Sequence, residues 1–117
     1  MTKQNPFKNL FVGLIFNSIL MCIIMENKIT KEKLEKYFKL TSKALEEAKK
    51  NVVQGKKKDA DEIVDMVSNY FSDAEHFRKK DDFVNAFAAI NYAHGWLDSG
   101  VRLGIFDVKD DKLFTVK

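Results

Sequence analysis

The 117-residue chain has few of the residues that staple small domains: one cysteine (Cys22), two histidines (His76 and His94) and one proline. A lone cysteine cannot bridge within the chain, which excludes a disulfide scaffold. Two histidines and a distant cysteine offer no zinc-type spacing. No metal or cofactor is expected. Five glycines and one proline also exclude collagen-like and Pro/Gly-rich disordered chains. What is present is 45% apolar and 32% charged, an ordinary globular composition at a length that fits one domain.

Charge and hydropathy are divided at Met25. Residues 1 to 25 carry Lys3 and Lys8 and no acid, leaving 18 bases against 17 acids in the remainder. The formal charge of +3 therefore belongs mostly to the leader. Thirteen of the sixteen residues from Leu10 to Met25 are apolar, a run slightly short of the ~20 residues a membrane-spanning helix needs. Neither a signal peptidase nor a lipoprotein site fits, because large apolar residues, Met21 and Ile23, flank Cys22. Two readings stand: the true start is Met25 and residues 1–24 are translated upstream sequence, or residues 1–25 form a single membrane anchor. If they insert, Lys28, Lys31, Lys33 and Lys36 outnumber Lys3 and Lys8 and hold the domain in the cytoplasm. Either way the expected compartment is cytoplasmic.

Beyond the leader, apolar residues recur at three- and four-residue steps in three stretches, the signature of amphipathic helices. Thr30 as N-cap and an Ile29/Leu34 staple open the first, which Gly55 ends. An Asp59/Glu62 capping box opens the second, and Arg78, Lys79 and Lys80 suit its negative end. Asp81 or Asp82 caps the third, and Gly100 or Gly104 ends it. The expected helices are 30–54, 59–80 and 82–103. Short connections make neighbours antiparallel, so the predicted fold is all-α, an up-down-up three-helix bundle over 26–104. Residues 105–117 alternate as two short strands would, around Lys109-Asp110-Asp111. They should pack on the bundle as a hairpin or an extended strap.

The third helix holds the candidate site. At 100° per residue, Asn91, His94, Asp98 and Arg102 share one polar stripe, with Gly95 and Ser99 beside it. Tyr92, Trp96 and Leu103 lie about 100–140° from Asn91 and widen the apolar arc beyond half the circumference. Two partner helices need not cover that arc, so either the C-terminal strap or a second protein chain is expected over Tyr92 and Trp96. His94 with Asp98 four residues on could orient an imidazole for acid–base work, and Arg102 could hold an anion. No nucleophile or second base accompanies them, and a surface ion pair is the simpler reading. Gly55-Lys56-Lys57-Lys58 follows a helix and lacks the phosphate-loop pattern. The lysines at 49–58 and the bases at 78–80 sit at opposite ends of a helix about 30 Å long, so they form no single nucleic-acid patch.

The strings Tyr70-Phe-Ser-Asp-Ala-Glu-His-Phe77, Asn91-Tyr-Ala-His-Gly-Trp-Leu-Asp98 and Gly100-Val-Arg-Leu-Gly104 resemble the short archaeal helical proteins of domain-of-unknown-function family 357. The resemblance covers about residues 28–117 and excludes the leader. It implies a small three-helix bundle and carries no activity, substrate or catalytic residue. A weaker similarity to helical ribonuclease toxins fails, because no arginine precedes a histidine with four to six residues between them: Arg78 follows His76 and stands sixteen residues before His94. The expected function is a non-enzymatic protein-interaction module, with Tyr92, Trp96, Asn91, His94, Asp98 and Arg102 as candidate partner-binding residues. The partner is another protein or a second copy. The alternatives are an anion-, nucleotide- or RNA-binding domain using the polar stripe, with nucleic acid unfavoured, or a membrane-tethered domain if residues 1–25 are retained.

Overall fold

A computed structural model describes residues 27–116. The chain divides into two compact units, Met1–Thr30 and Lys31–Lys117, and the apolar leader with Cys22 lies outside the described residues. The second unit consists of three helices, α1 (Lys31–Lys50), α2 (Lys57–Lys79) and α3 (Phe83–Arg102), followed by an irregular tail. Among the described residues no helix is long and apolar enough to cross a membrane.

The fold is all-α, and α3 is its central helix. It packs along both α1 and α2, which touch each other over a shorter stretch. Leu34, Phe38, Ala44 and Ala48 of α1 are buried with Ala60, Ile63, Val67 and Ala74 of α2 and Ala86, Ile90, Ala93 and Leu97 of α3. Alanine at half of these positions favours close helix approach, since interaxial distance follows the side chains at the contact. Where α1 meets α2, the Phe38 and Phe71 rings pack edge-on at 5.4 Å. Arg78 stacks over Phe38 at 3.9 Å while its Nη1 donates to both carboxylate oxygens of Glu35, each at 3.2 Å.

Helix ends follow local chemistry with two exceptions. As expected, Asp82 caps α3: its Oδ1 accepts from the Asn85 N–H at 3.2 Å, and its Oδ2 accepts from Asn85 Nδ2 at 2.7 Å. Gly104, at φ 74, closes α3 with a Schellman pattern, Gly104 N–H to Val101 carbonyl and Ile105 N–H to Gly100 carbonyl. Asp81 does the same for α2 at φ 58, with Asp81 N–H on Arg78 and Asp82 N–H on Phe77. The first exception is α1, which stops at Lys50, before the expected 54. The Val53 N–H instead donates to the Ile105 carbonyl at 2.9 Å, and the Asp107 N–H to the Asn51 carbonyl at 2.8 Å. Backbone pairing with the tail, an isolated antiparallel bridge at Val52 and Phe106, replaces the last helical turn. Gly55, at φ 85, is the third residue of a Val53–Lys56 turn rather than a helix cap. The second exception is α2, which starts at Lys57, so Asp59 lies within its first turn and the Asp59/Glu62 capping box does not form.

The tail is a strap, not a hairpin. Ile105, Phe106 and Phe114 are buried against Ala44, Ala48, Ile63, Val67 and Leu97, closing the end of the bundle where α1 stops and α2 begins. Between them the chain turns at Asp110, whose Oδ1 accepts from the Lys112 and Leu113 N–H groups at 2.8 and 3.3 Å. The two alternating segments turn their backbone groups to Asn51, Val53 and Asp98 instead of to each other.

Candidate functional site

The polar stripe of α3 holds the tail. His94 Nε2 lies 2.7 Å from the Leu113 carbonyl, which can only accept, so Nε2 carries the proton and donates. In the neutral ring Nδ1 is then an acceptor, and the Thr41 hydroxyl donates to it across 3.0 Å. Thr41 is 1% exposed and is the one polar side chain among the buried residues of α1. Burial without a partner would cost its hydroxyl ~1–3 kcal/mol. His94 is thus a bridge from α1 through α3 to the tail, with both nitrogens used. One turn on, Asp98 Oδ1 accepts from the Thr115 N–H at 2.8 Å, and Oδ2 accepts from the Thr115 hydroxyl at 3.3 Å. The His94–Asp98 approach is 4.0 Å, with side-chain exposures of 15% and 28%. Asp98 does not pair with Arg102, which is exposed beside an open hollow formed with Val53, Val101 and Val116.

The opposite shoulder of α3 is differently built. Tyr92 is 52% exposed. Its ring packs on Tyr70 of α2 at 4.5 Å and on Trp96 at 6.3 Å, giving a chain of three rings across the α2/α3 surface. Two hollows flank Tyr92. One, of about 410 Å³, is lined by Asn91, Tyr92, Gly95, Trp96 and Ser99. The other, of about 360 Å³, lies between Tyr70, Asp73 and Phe77 of α2 and Asn85, Ala88 and Ala89 of α3. Neither lining includes a lysine or arginine. Trp96 is half-buried, with part of its ring against the core.

The six candidate residues therefore separate. Asn91, Tyr92 and Trp96 stay together on the aromatic shoulder, His94 and Asp98 are occupied by the tail, and Arg102 stands apart. The expectation that the strap lies over Tyr92 and Trp96 is corrected: its anchors are His94 and Asp98, and His94 is ~160° around the helix from Tyr92. Sequence reasoning missed Tyr70 as a surface ring, because it shares a stripe with the buried Val67 and Ala74. It also missed Thr41 as a partner for His94. The available signal was a hydroxyl within an otherwise apolar stripe. Among the described residues no three His, Cys, Asp or Glu side chains converge to hold a metal ion.

A family model described as "Protein of unknown function (DUF357)" matches residues 36–106, more than half of the chain. The chain belongs to this family. The match takes in most of α1, all of α2 and α3, and the tail as far as Phe106, so it includes His94 and Asp98 but not Leu113 or Thr115. No curated protein and no solved structure matches the chain.

Proposed function

We propose that this family member is a non-enzymatic interaction module of the cytoplasm, and that its aromatic shoulder receives a protein partner. One observation carries the reading: Tyr92 stands half-exposed at the centre of the Tyr70–Tyr92–Trp96 chain, between two hollows. Tyrosine and tryptophan provide large contact area at low entropic cost and are enriched where partners bind. The composition of the hollows favours protein over nucleic acid, since a lining with Asp73 and no cation has nothing to neutralise a phosphate. The rival anion site of His94, Asp98 and Arg102 has less support, because the first two already hold the tail.

Tyr92→Ala is the discriminating variant, because Tyr92 is exposed whereas Trp96 also packs inward. A partner captured by the wild-type chain should be lost by Tyr92→Ala, with unchanged helical circular dichroism and only a small drop in melting temperature; Tyr70→Ala should weaken capture too, with a larger drop because that ring also packs on the core. If the partner is a second copy, sedimentation should show the same substitution shifting the oligomer toward monomer. Equal retention by wild type and Tyr92→Ala would refute the assignment.

A further inference from the structure

We propose that the groove between α1 and the tail turn is a second docking site, built for an acidic amphipathic segment of another protein. Lys36, Lys39 and Lys43 lie within ~60° of arc on α1, and Lys112 faces them from the tail, around an open groove of about 870 Å³. Of the three acids in the lining, Glu35 is paired with the Arg78 guanidinium, while Asp110, whose Oδ1 caps its own turn, and Glu32 keep their charge. With Lys31 also in the lining, five lysines stand against these two carboxylates, so the groove stays net positive. Among the described residues none of Lys36, Lys39, Lys43 and Lys112 makes an ion pair. This surplus of ammonium groups around one concavity attracts an occupant that brings carboxylates.

The chemistry of the floor narrows the class. Leu40 and Leu113, both half-buried, lie between the lysines, whose methylene stems extend the apolar surface. No aromatic ring lines the groove, so single-stranded RNA would find cations but nothing on which to stack bases. A lipid headgroup plane would meet the rim lysines without reaching a recessed leucine floor. A short helix bearing leucine at i and i+4 with glutamate on its flanks satisfies both features: apolar anchors reach Leu40 and Leu113, and carboxylates reach Lys36, Lys39, Lys43 and Lys112. The site is independent of the aromatic shoulder, since it uses α1 and the tail while the shoulder uses α2 and α3.

The test uses the full-length chain and a fluorescein-labelled synthetic peptide of ~14 residues, leucine at i and i+4 and glutamate elsewhere, read by anisotropy. Beside it are a composition-matched scramble, oligouridylate and phosphatidylserine vesicles. The patterned peptide should bind about tenfold or more tightly than the scramble, and more weakly as salt rises. Lys39→Glu/Lys43→Glu should reduce its affinity by at least about tenfold, whereas Lys79→Glu/Lys80→Glu, the same charge change outside the groove, should not. Absence of binding, equal binding of scramble, oligouridylate or vesicles, or equal loss from both double reversals would overturn the proposal. Circular dichroism of each double variant establishes that the helices are intact.

Discussion

Gly95 and Gly100 lie on the same helix, yet replacing each with alanine should move stability in opposite directions. A glycine inside a helix is less favourable than alanine by ~1 kcal/mol, so propensity alone predicts that both substitutions stabilise. At Gly95 an added Cβ meets nothing within 4 Å, and the full gain should appear. At Gly100 the same atom would stand 2.5 Å from Phe106 Cε2, 2.6 Å from Cδ2 and 3.0 Å from Ile63 Cδ1. Carbon atoms pack at ~3.5–4.0 Å, so the ring must retreat by about 1 Å. Ile63 can rotate its terminal methyl, but Phe106 is 2% exposed and its neighbours Ile105 and Asp107 are tied to Val53 and Asn51. Overpacking of this kind costs ~1–3 kcal/mol, and at the middle of that range it outweighs the propensity gain and leaves a net loss of about 1 kcal/mol. In a domain of this size, each kcal/mol displaces the melting temperature by ~4–8 °C, so thermal and urea denaturation followed by circular dichroism resolve the two signs. In a Phe106→Leu background the Gly100→Ala penalty should largely disappear, a coupling of ~1 kcal/mol. Stabilisation by Gly100→Ala comparable to that of Gly95→Ala would refute the packing argument.

His94→Ala removes the partner of the buried Thr41 hydroxyl and releases the Leu113 carbonyl. It should destabilise the domain by ~1–3 kcal/mol, and accelerate hydrogen exchange at the Thr115 amide, relative to wild type, by a larger factor than in α2. Unchanged protection of the tail would show that His94 does not hold it. Asp81 adopts φ 58 without being glycine, so Asp81→Gly should raise stability by a few tenths to about 1 kcal/mol, while Gly104→Ala, at φ 74, should lower it by ~1 kcal/mol. Urea midpoints moving in the same direction for both would contradict the Schellman assignment.

The legible features were those whose causes lie within a few residues. The spacing of Leu34, Phe38, Ala44 and Ala48 marks one buried face whatever lies opposite it. Asp82 and Gly104 act at α3's ends through bonds spanning three to five residues. The Asp59/Glu62 pattern misled because a capping box has the same spacing as two acids in the first two turns of a helix that has already begun, and only the path of the preceding loop separates them. Val52 likewise fits α1's apolar stripe, and its place in a bridge depends on Phe106, more than fifty residues away. On α3, periodicity correctly collected a polar stripe and an aromatic shoulder without showing which of them the tail would use.

The amino-acid sequence by itself determined three amphipathic helices, their antiparallel order and membership of a helical family, because periodicity, caps and short loops are local constraints. Tertiary structure alone decided what α3's faces do. A polar stripe has the same sequence whether it meets water, substrate or another segment of the chain. Here Thr41 must find a partner when α1 is buried, and Leu113 and Thr115 must satisfy backbone groups when the tail crosses the bundle. Those demands meet at His94 and Asp98, leaving Tyr92 and its neighbouring rings on the open side.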